Sequence, residues 1–150
     1  MGSVSLTGKD TILVDSRIFS DLADGDCGSL EFPNDIVAVK TGKNHNRIYA
    51  YNATGETCNL TLRLIRGSAD DKYLLSRYYE YKNDPPSFVL LGTQITKRAG
   101  DGKGNIAADT YTLGGGIITK LPAVKENVEG DTEQAVSIWP ITFTNSDRTI

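Results

Sequence analysis

The chain carries one histidine, His45, and two cysteines, Cys27 and Cys58, and those counts limit its chemistry at once. A Ser–His–Asp or Cys–His relay has only His45 to serve as its base. That residue lies in the run Lys40 to Arg47, where Gly42, Asn44 and Asn46 make a polar turn rather than a dry, preorganised pocket. Neither cysteine sits in a pair spaced for zinc, and a single histidine builds no His-rich metal site. Gly42-Lys43-Asn44 and Gly102-Lys103-Gly104 end like phosphate-binding loops, but both lack the hydroxyl that would hold magnesium. Asp101-Gly102-Lys103-Gly104-Asn105 begins like a calcium loop, yet Lys103 occupies a ligand position and Ile106 stands where glycine is required. Asp24-Gly25-Asp26 offers two short carboxylates and reads as a turn. No carboxylate pair is singled out for glycoside hydrolysis, whose geometry is three-dimensional. The expectation is a protein that is not an enzyme and uses no metal or cofactor.

With chemistry set aside, size and charge bound the remaining classes. The 150 residues suit one domain spanning 1–150, with residues 1–10 expected to be flexible until assembly. An apolar fraction of 39% and a charged fraction of 23% provide for an ordinary core. No apolar run is long enough to span a membrane, and the opening residues lack a signal-like pattern, so no membrane partner is expected. By the same expectation the acceptor patterns Asn52-Ala53-Thr54 and Asn59-Leu60-Thr61 are without consequence, and the cysteines stay reduced and buried. The formal charge of −3 argues against a protein that grips a nucleic-acid backbone. That total conceals acidic ends around a basic middle: −5 over residues 1–35, +4 over 36–66, +2 over 67–125 and −4 over 126–150. Surfaces of opposite sign on one chain favour head-to-tail contact between copies.

The elements follow from periodicity. Ile, Val, Thr, Tyr, Phe and Trp supply 47 of the 150 residues, a β-rich composition. Thr11 to Phe19 reads as a strand pair broken at Asp15-Ser16, followed by an acidic loop over Leu22 to Gly28. Short strands are expected at Ser29 to Pro33, Ile36 to Lys40 and Ile48 to Tyr51. Over Thr57 to Arg66, Cys58, Leu60, Leu62 and Leu64 alternate with polar residues, the clearest strand in the chain. One helix is expected from Ser68, with Asp70 and Asp71 in its first turn and an inward stripe of Leu74, Leu75, Tyr78 and Tyr79, ending at Asn83-Asp84-Pro85-Pro86. Tyr73, Tyr78, Tyr79 and Tyr81 are at helical spacing and suit core or subunit contacts. Strands are then expected at Ser87 to Ala99, Ile106 to Leu113 and Ile117 to Lys120, with Gly114-Gly115-Gly116 as a turn. The last strand, Glu133 to Asn145, turns Ala135, Ser137, Trp139, Ile141 and Phe143 to one side, and Pro140 marks an edge or bulge. The fold class is mainly β, a sandwich or barrel of antiparallel strands with one α-helix.

The second half carries a resemblance. Leu91-Gly92-Thr93, Lys97 through Gly104, Asp109 through Gly116 and Glu129 through Trp139 resemble the tail tube proteins of contractile-tailed bacteriophages. Thr61 to Ser68 leading into Asp70-Asp71 is similar to the strand that feeds the helix in that family. The match covers roughly residues 36–150. The resemblance implies a structural virion protein whose hexameric rings stack into a hollow inner tube, assembled in the host cytoplasm, with DNA passing through without specific binding. It also implies a sheath protein, tape-measure and baseplate or terminator proteins as partners, and a hairpin or long loop that reaches the next ring.

By that analogy the turn Lys40 to Arg47 is the inter-ring candidate, with Lys40, Lys43, His45 and Arg47 as contact residues. Its acidic counterpart is expected among Asp24, Asp26, Glu126, Glu129 and Asp131. Because duplex DNA carries about one charge per 1.7 Å, the bore is expected to be lined mainly by Asp or Glu. Two alternatives share some of these features. One is the tube subunit of a type VI secretion-like system. The other is a carbohydrate-binding β-sandwich, for which Trp139, Tyr49, Tyr51 and Tyr111 are the candidate platforms.

Overall fold

The computed structural model describes residues 5–6, 10–126 and 128–150; the expectation for residues 1–10 falls mostly outside them. In chain order the strands are β1 (Ser5–Leu6), β2 (Thr11–Val14), β3 (Arg17–Ile18), β4 (Gly28–Glu31), β5 (Val37–Thr41), β6 (Arg47–Tyr51) and β7 (Cys58–Ile65). Helix α1 (Ala69–Asn83) follows, then β8 (Leu91–Gly100), β9 (Ile106–Ile118), β10 (Val136–Phe143) and β11 (Asn145–Thr149). The chain is mainly β, and all its strand pairs are antiparallel.

The main sheet runs β3-β2-β8-β9-β10-β7-β4, with β1 on β8 and β11 on β9. It folds over at β9, so that Val14, Leu91 and Leu113 on one half meet Leu60, Leu62, Leu64, Trp139, Ile141 and Phe143 on the other across one core. The alternation expected in β7 is present, with Cys58, Leu60, Leu62 and Leu64 all buried. The β10 face is also as expected from Ser137 to Phe143, whereas Ala135 is exposed in a 3-10 turn over Thr132–Ala135. Pro140 lies inside the sheet: its carbonyl accepts from Thr119 N (3.2 Å), so its ring nitrogen looks past Ile118, where the β9 ladder ends.

Three expectations change. Ser87 does not begin a strand: Pro85–Ser87 forms a 3-10 turn and β8 starts at Leu91. Gly114-Gly115-Gly116 is not a turn between strands but a bulge inside β9, opposite Gly92, with Gly115 at φ +68°. There β9 leaves β11 and takes β10 as its partner, which carries one strand through both halves of the sheet. The glycines are needed because the crossing is tight: a Cβ on Gly116 would clash with the Phe143 ring and stand 2.9 Å from Leu91 O.

The helix also sits differently. Ser68 caps it, its hydroxyl accepting from Asp71 N (3.3 Å), and Leu74 and Tyr78 of the expected stripe turn inward, but they share that side with Asp70, Tyr73, Arg77 and Tyr81. Leu75 and Tyr79 face solvent, because Asp70 rather than a leucine fixes the rotation of the helix. Only 1% exposed, Asp70 accepts from Ser20 N and Asp21 N (both 2.9 Å) and from Arg17 Nε (3.2 Å). Asp71 accepts from Gly67 N (2.9 Å) and from the buried Trp139 indole (2.8 Å). The helix is thereby pinned to the first strands and to β10 and lies over the core, inserting Leu74 rather than plugging it with a full apolar stripe.

Two substitutions test this account. Asp70→Ala, which strands two backbone donors and Arg17, costs about 3 kcal/mol in a urea titration, and Asp70→Asn, which keeps an acceptor oxygen, costs less. Gly116→Ala costs about 2 kcal/mol through overpacking against Phe143 and Leu91, whereas Gly42→Ala, whose Cβ would meet Asn46 O at an ordinary contact distance of 3.6 Å, leaves the midpoint nearly unchanged.

Candidate functional site

Strands β5 and β6 form a two-stranded sheet of their own, apart from the main one. Their register pairs Val37 with Tyr51, Val39 with Tyr49 and Thr41 with Arg47 on one face, and Ala38 with Ala50 and Lys40 with Ile48 on the other. Asn44 and His45 at the tip both adopt positive φ, 60° and 62°, the conformation that Asn-rich turns accommodate. Gly42 N donates to Asn46 O to close the tip. Every residue from Val37 to Tyr51 is exposed, including Val39 at 52%, Tyr49 at 65% and Tyr51 at 70%. The four basic candidates Lys40, Lys43, His45 and Arg47 are thus brought together at the tip, and none makes a side-chain hydrogen bond or ion pair with a described residue.

Among the described residues the hairpin is held only at its base. Asn52 N donates to Ile36 O (2.6 Å), Asn34 Nδ2 to Thr54 O (3.3 Å), and Ser146 Oγ ties the following turn, Ala53–Glu56, to β11 through Glu56 O (3.1 Å). Gly55 is required there, since a Cβ would lie 2.8 Å from Ile36 Cα. This base adjoins Cys58, the first residue of β7.

The acidic candidates gather toward the other end of β7. Arg63 donates Nε to Asp24 O (3.2 Å), lies 3.6 Å from Asp24 Oδ1, and forms a two-pronged bond with Glu133 at 2.7 and 3.2 Å. Asp131 accepts from Glu133 N (3.1 Å), which places it beside that pair. Asp24 and Glu133, from loops a hundred residues apart in the chain, are therefore drawn to one arginine, with Asp131 capping the turn that carries Glu133, roughly 17 Å along β7 from Cys58 at about 3.3 Å per residue. Glu126 and Glu129 are exposed in the segment leading to this cluster, and Asp26 faces a groove nearby. Arg63 and Glu133 were not singled out by the sequence; the polar position of Arg63 in an alternating strand is the one hint it offers. The hydrogen bonds from Arg63 hold Glu133 below the usual carboxylate range, and Glu133 raises Arg63 in turn.

The groove is a cavity of about 570 Å³ between β2, β8 and β4. Ile12, Leu30, Phe32 and Ile95 form its apolar wall, with Asp10 and Asp26 also lining it. Cys27 lines it too, while Cys58 is buried in the core, where burial raises its thiol; the two are unbonded.

The outer face of β2-β8-β9-β11 has a different character. Register places Thr11, Thr96, Thr110 and Thr149 in one row across four strands, and Leu13, Gln94, Thr112 and Asp147 in the next. The opposite face of the same strands carries the buried Val14, Thr93 and Leu113.

The other candidates separate. Trp139 is 2% exposed and engaged with Asp71, so it is no sugar platform; Tyr49 and Tyr51 lie on the hairpin, and Tyr111 lies beneath the Arg148 guanidinium. Tyr73 donates to Asp15 and packs edge-on against Phe19, and Tyr81 does so against Phe88. Asp101 spends one oxygen on Lys103 N and Asn105 N and the other on the Asn105 side chain, closing its own turn; these bonds lower its carboxyl. Among the described residues no three His, Cys, Asp or Glu side chains are grouped to hold a metal.

No protein-family model and no curated protein matches the chain. Solved structures do. A chain from the sheath/tube terminator of an extracellular contractile injection system, PVC, in its extended state aligns with a TM-score of 0.57 and 13% identity over 94% of this chain and 93% of that one. A chain from the PVC sheath-tube complex, also extended, aligns with a TM-score of 0.54 and 11% identity over 93% and 86%. The fold is tail-tube-like. At these identities the likeness is one of fold, and it extends over almost the whole chain.

The Arg63–Glu133 pair carries a pH signature. Because the folded-state value of Glu133 lies below its ordinary value, its contribution is complete above the usual carboxylate range and disappears as pH falls through the lowered folded value. The difference in urea midpoint between the native chain and Arg63→Met is expected to stay constant from pH 8 to about pH 5 and to shrink below about pH 4.

Proposed function

We propose that this chain is the tube subunit of a contractile tail: six copies close into a ring, and rings stack into a hollow inner tube through which DNA passes. The observation that carries the reading is the polarity of the subunit. A basic, unpartnered hairpin leaves one end of β7, and the Asp24–Arg63–Glu133 cluster marks the other, within a tail-tube-like fold. A patch at one end that fits a different patch at the other is a heterologous contact, and repetition of it makes a filament rather than a dimer. Lys40, Lys43, His45 and Arg47 are the inter-ring contacts in this reading, facing the acidic end of the next subunit around Asp24, Asp26 and Asp131, with Glu126 and Glu129 beside them.

Ring closure draws on the sheet edges. β3, β4 and β11 each pair on one side only, and edge-to-edge pairing between copies would remove such edges. The core-facing side of these strands is closed at Val14, Thr93 and Leu113 and opens only into the groove at Ile12 and Ile95, so in this reading the threonine rows on the other face of β2-β8-β9-β11 line the bore. Hydroxyls with one carboxylate, Asp147, give a polyanion nothing to hold, so this face serves passage with far less negative charge than the Asp- and Glu-lined bore expected from charge alone. The partners in this assembly are a contractile sheath, a tape-measure protein and baseplate or terminator proteins, and its place is the virion, after assembly in the host cytoplasm. A secretion-type tube subunit would use the same contacts. The likeness to a sheath/tube terminator chain supports a second reading, a ring that ends the tube.

Purified protein viewed by negative stain separates these readings: long tubes mark a tube subunit, single rings a terminator, and monomers at all concentrations refute both. The double reversal Lys43→Glu and Arg47→Glu is expected to abolish stacking while leaving the circular dichroism and urea midpoint of the subunit unchanged. Tubes indistinguishable from those of the native chain would refute the role of the hairpin.

A further inference from the structure

We infer that the groove between β2, β8 and β4 is the receptor for the β5–β6 hairpin of the next copy, which seats Val39 and Tyr49 in it. This rests on the stacked assembly proposed above and names the surface that receives the hairpin.

A two-stranded hairpin is marginally stable in water by itself. This one nevertheless holds Val37, Val39, Tyr49 and Tyr51 on a single face, 42% to 70% exposed, with no described strand paired to it outside its own sheet. A cross-strand row of valine and tyrosine gains little while wet and much when covered. The groove offers the reciprocal shape: concave, walled by Ile12, Leu30, Phe32 and Ile95, and left empty by the hairpin of its own chain.

Charge selects between occupants. Residues 36–55 contain Lys40, Lys43 and Arg47 and no acidic residue. The groove carries Asp10 and Asp26 against Lys97. An apolar hairpin ringed by cations therefore fits an apolar groove that holds a small excess of carboxylates. Tyrosine anchors in a desolvated pocket supply most of the energy of such contacts, and the surrounding charges set orientation and encounter rate. Donor and receptor are different patches of one chain, so the contact between copies is heterologous and repeats without limit.

The native Cys27, which lines the groove, provides the test. The full-length Tyr49→Cys chain is assembled and oxidised with diamide. A disulfide forms only when the Cα atoms come within about 7 Å, so a cross-link reports seating rather than proximity. The expected result on a non-reducing gel is a ladder of dimers, trimers and higher multimers that collapses with dithiothreitol and disappears in the Tyr49→Cys, Cys27→Ser double variant. Val39→Cys gives the same ladder, and Tyr79→Cys, on the exposed face of α1, gives none. Tyr49→Ala raises the concentration needed for tube growth at least about tenfold, as truncation of a central tyrosine anchor does. Tubes without a ladder, as would follow if another protein or a small apolar ligand filled the groove, overturn the inference and leave the stacked assembly standing. So does a ladder that survives Cys27→Ser. If the native chain forms neither rings nor tubes, the assembly and the inference fall together.

Discussion

The architecture turns on a charge held out of water. Asp70 is almost fully buried, and a carboxylate in that position is tolerable only when its oxygens are answered by donors. Ser20 N, Asp21 N and Arg17 answer them, so the first strands must return to the start of the helix for the charge to be satisfied. The neighbouring Asp71 extends the same constraint to the core through the Trp139 indole. Two adjacent carboxylates in the first turn thus join three parts of the chain far apart in sequence: residues 17–21, the helix and β10. The positive end of the helix dipole favours both charges where they stand.

Satisfying the interior this way decides what is left outside. The helix is oriented by Asp70, so Leu75 and Tyr79 remain on the surface, and Arg77 laces the helix to Asp15 and to the Val89 carbonyl while stacking on Phe88. The two halves of the sheet consume β7, β10 and the inner faces of β8 and β9. The β5–β6 hairpin contributes no residue to that core, unlike β3, which brings Arg17 to Asp70, and β11, which pairs along β9 and holds Arg148 against Asp109. Parts of a chain that cost ordering entropy and bury nothing are accounted for when a second copy covers them.

What was legible in the sequence was what depends on near neighbours. The period-2 alternation of β7, the turn at Asp15-Ser16, the Ser68 cap and the polar tip at Lys40 to Arg47 are each written within a few residues, and each stands in the structure. Half of the helix stripe was misread because leucine and tyrosine at helical spacing outweigh a lone aspartate in any hydropathy pattern, although the aspartate holds the rotation. The glycine triplet was misread as a turn because a bulge and a turn ask for the same residue; only the distant partners Gly92 and Phe143 distinguish them. The Arg63–Glu133 pair and the threonine row depend on strand register between residues tens of positions apart, which no local pattern encodes.

In the proposed assembly, strength and direction reside in different groups of the hairpin. Exposed ion pairs are worth about 0–1 kcal/mol each and weaken with salt, so Lys40, Lys43 and Arg47 cannot by themselves hold a tube together. Covering two tyrosines and two valines removes several times more free energy from contact with water, but apolar surface does not distinguish one end of a neighbour from the other. Put on one hairpin, the two effects become complementary. The charges reject tip-to-tip approach and favour the acidic end, and the apolar row makes the correct approach last. In the proposed assembly a subunit with a net charge of −3 but oppositely charged ends grows in one direction, and the same segregation leaves Asp147 as the one charge in the two threonine-bearing rows of its outer sheet face.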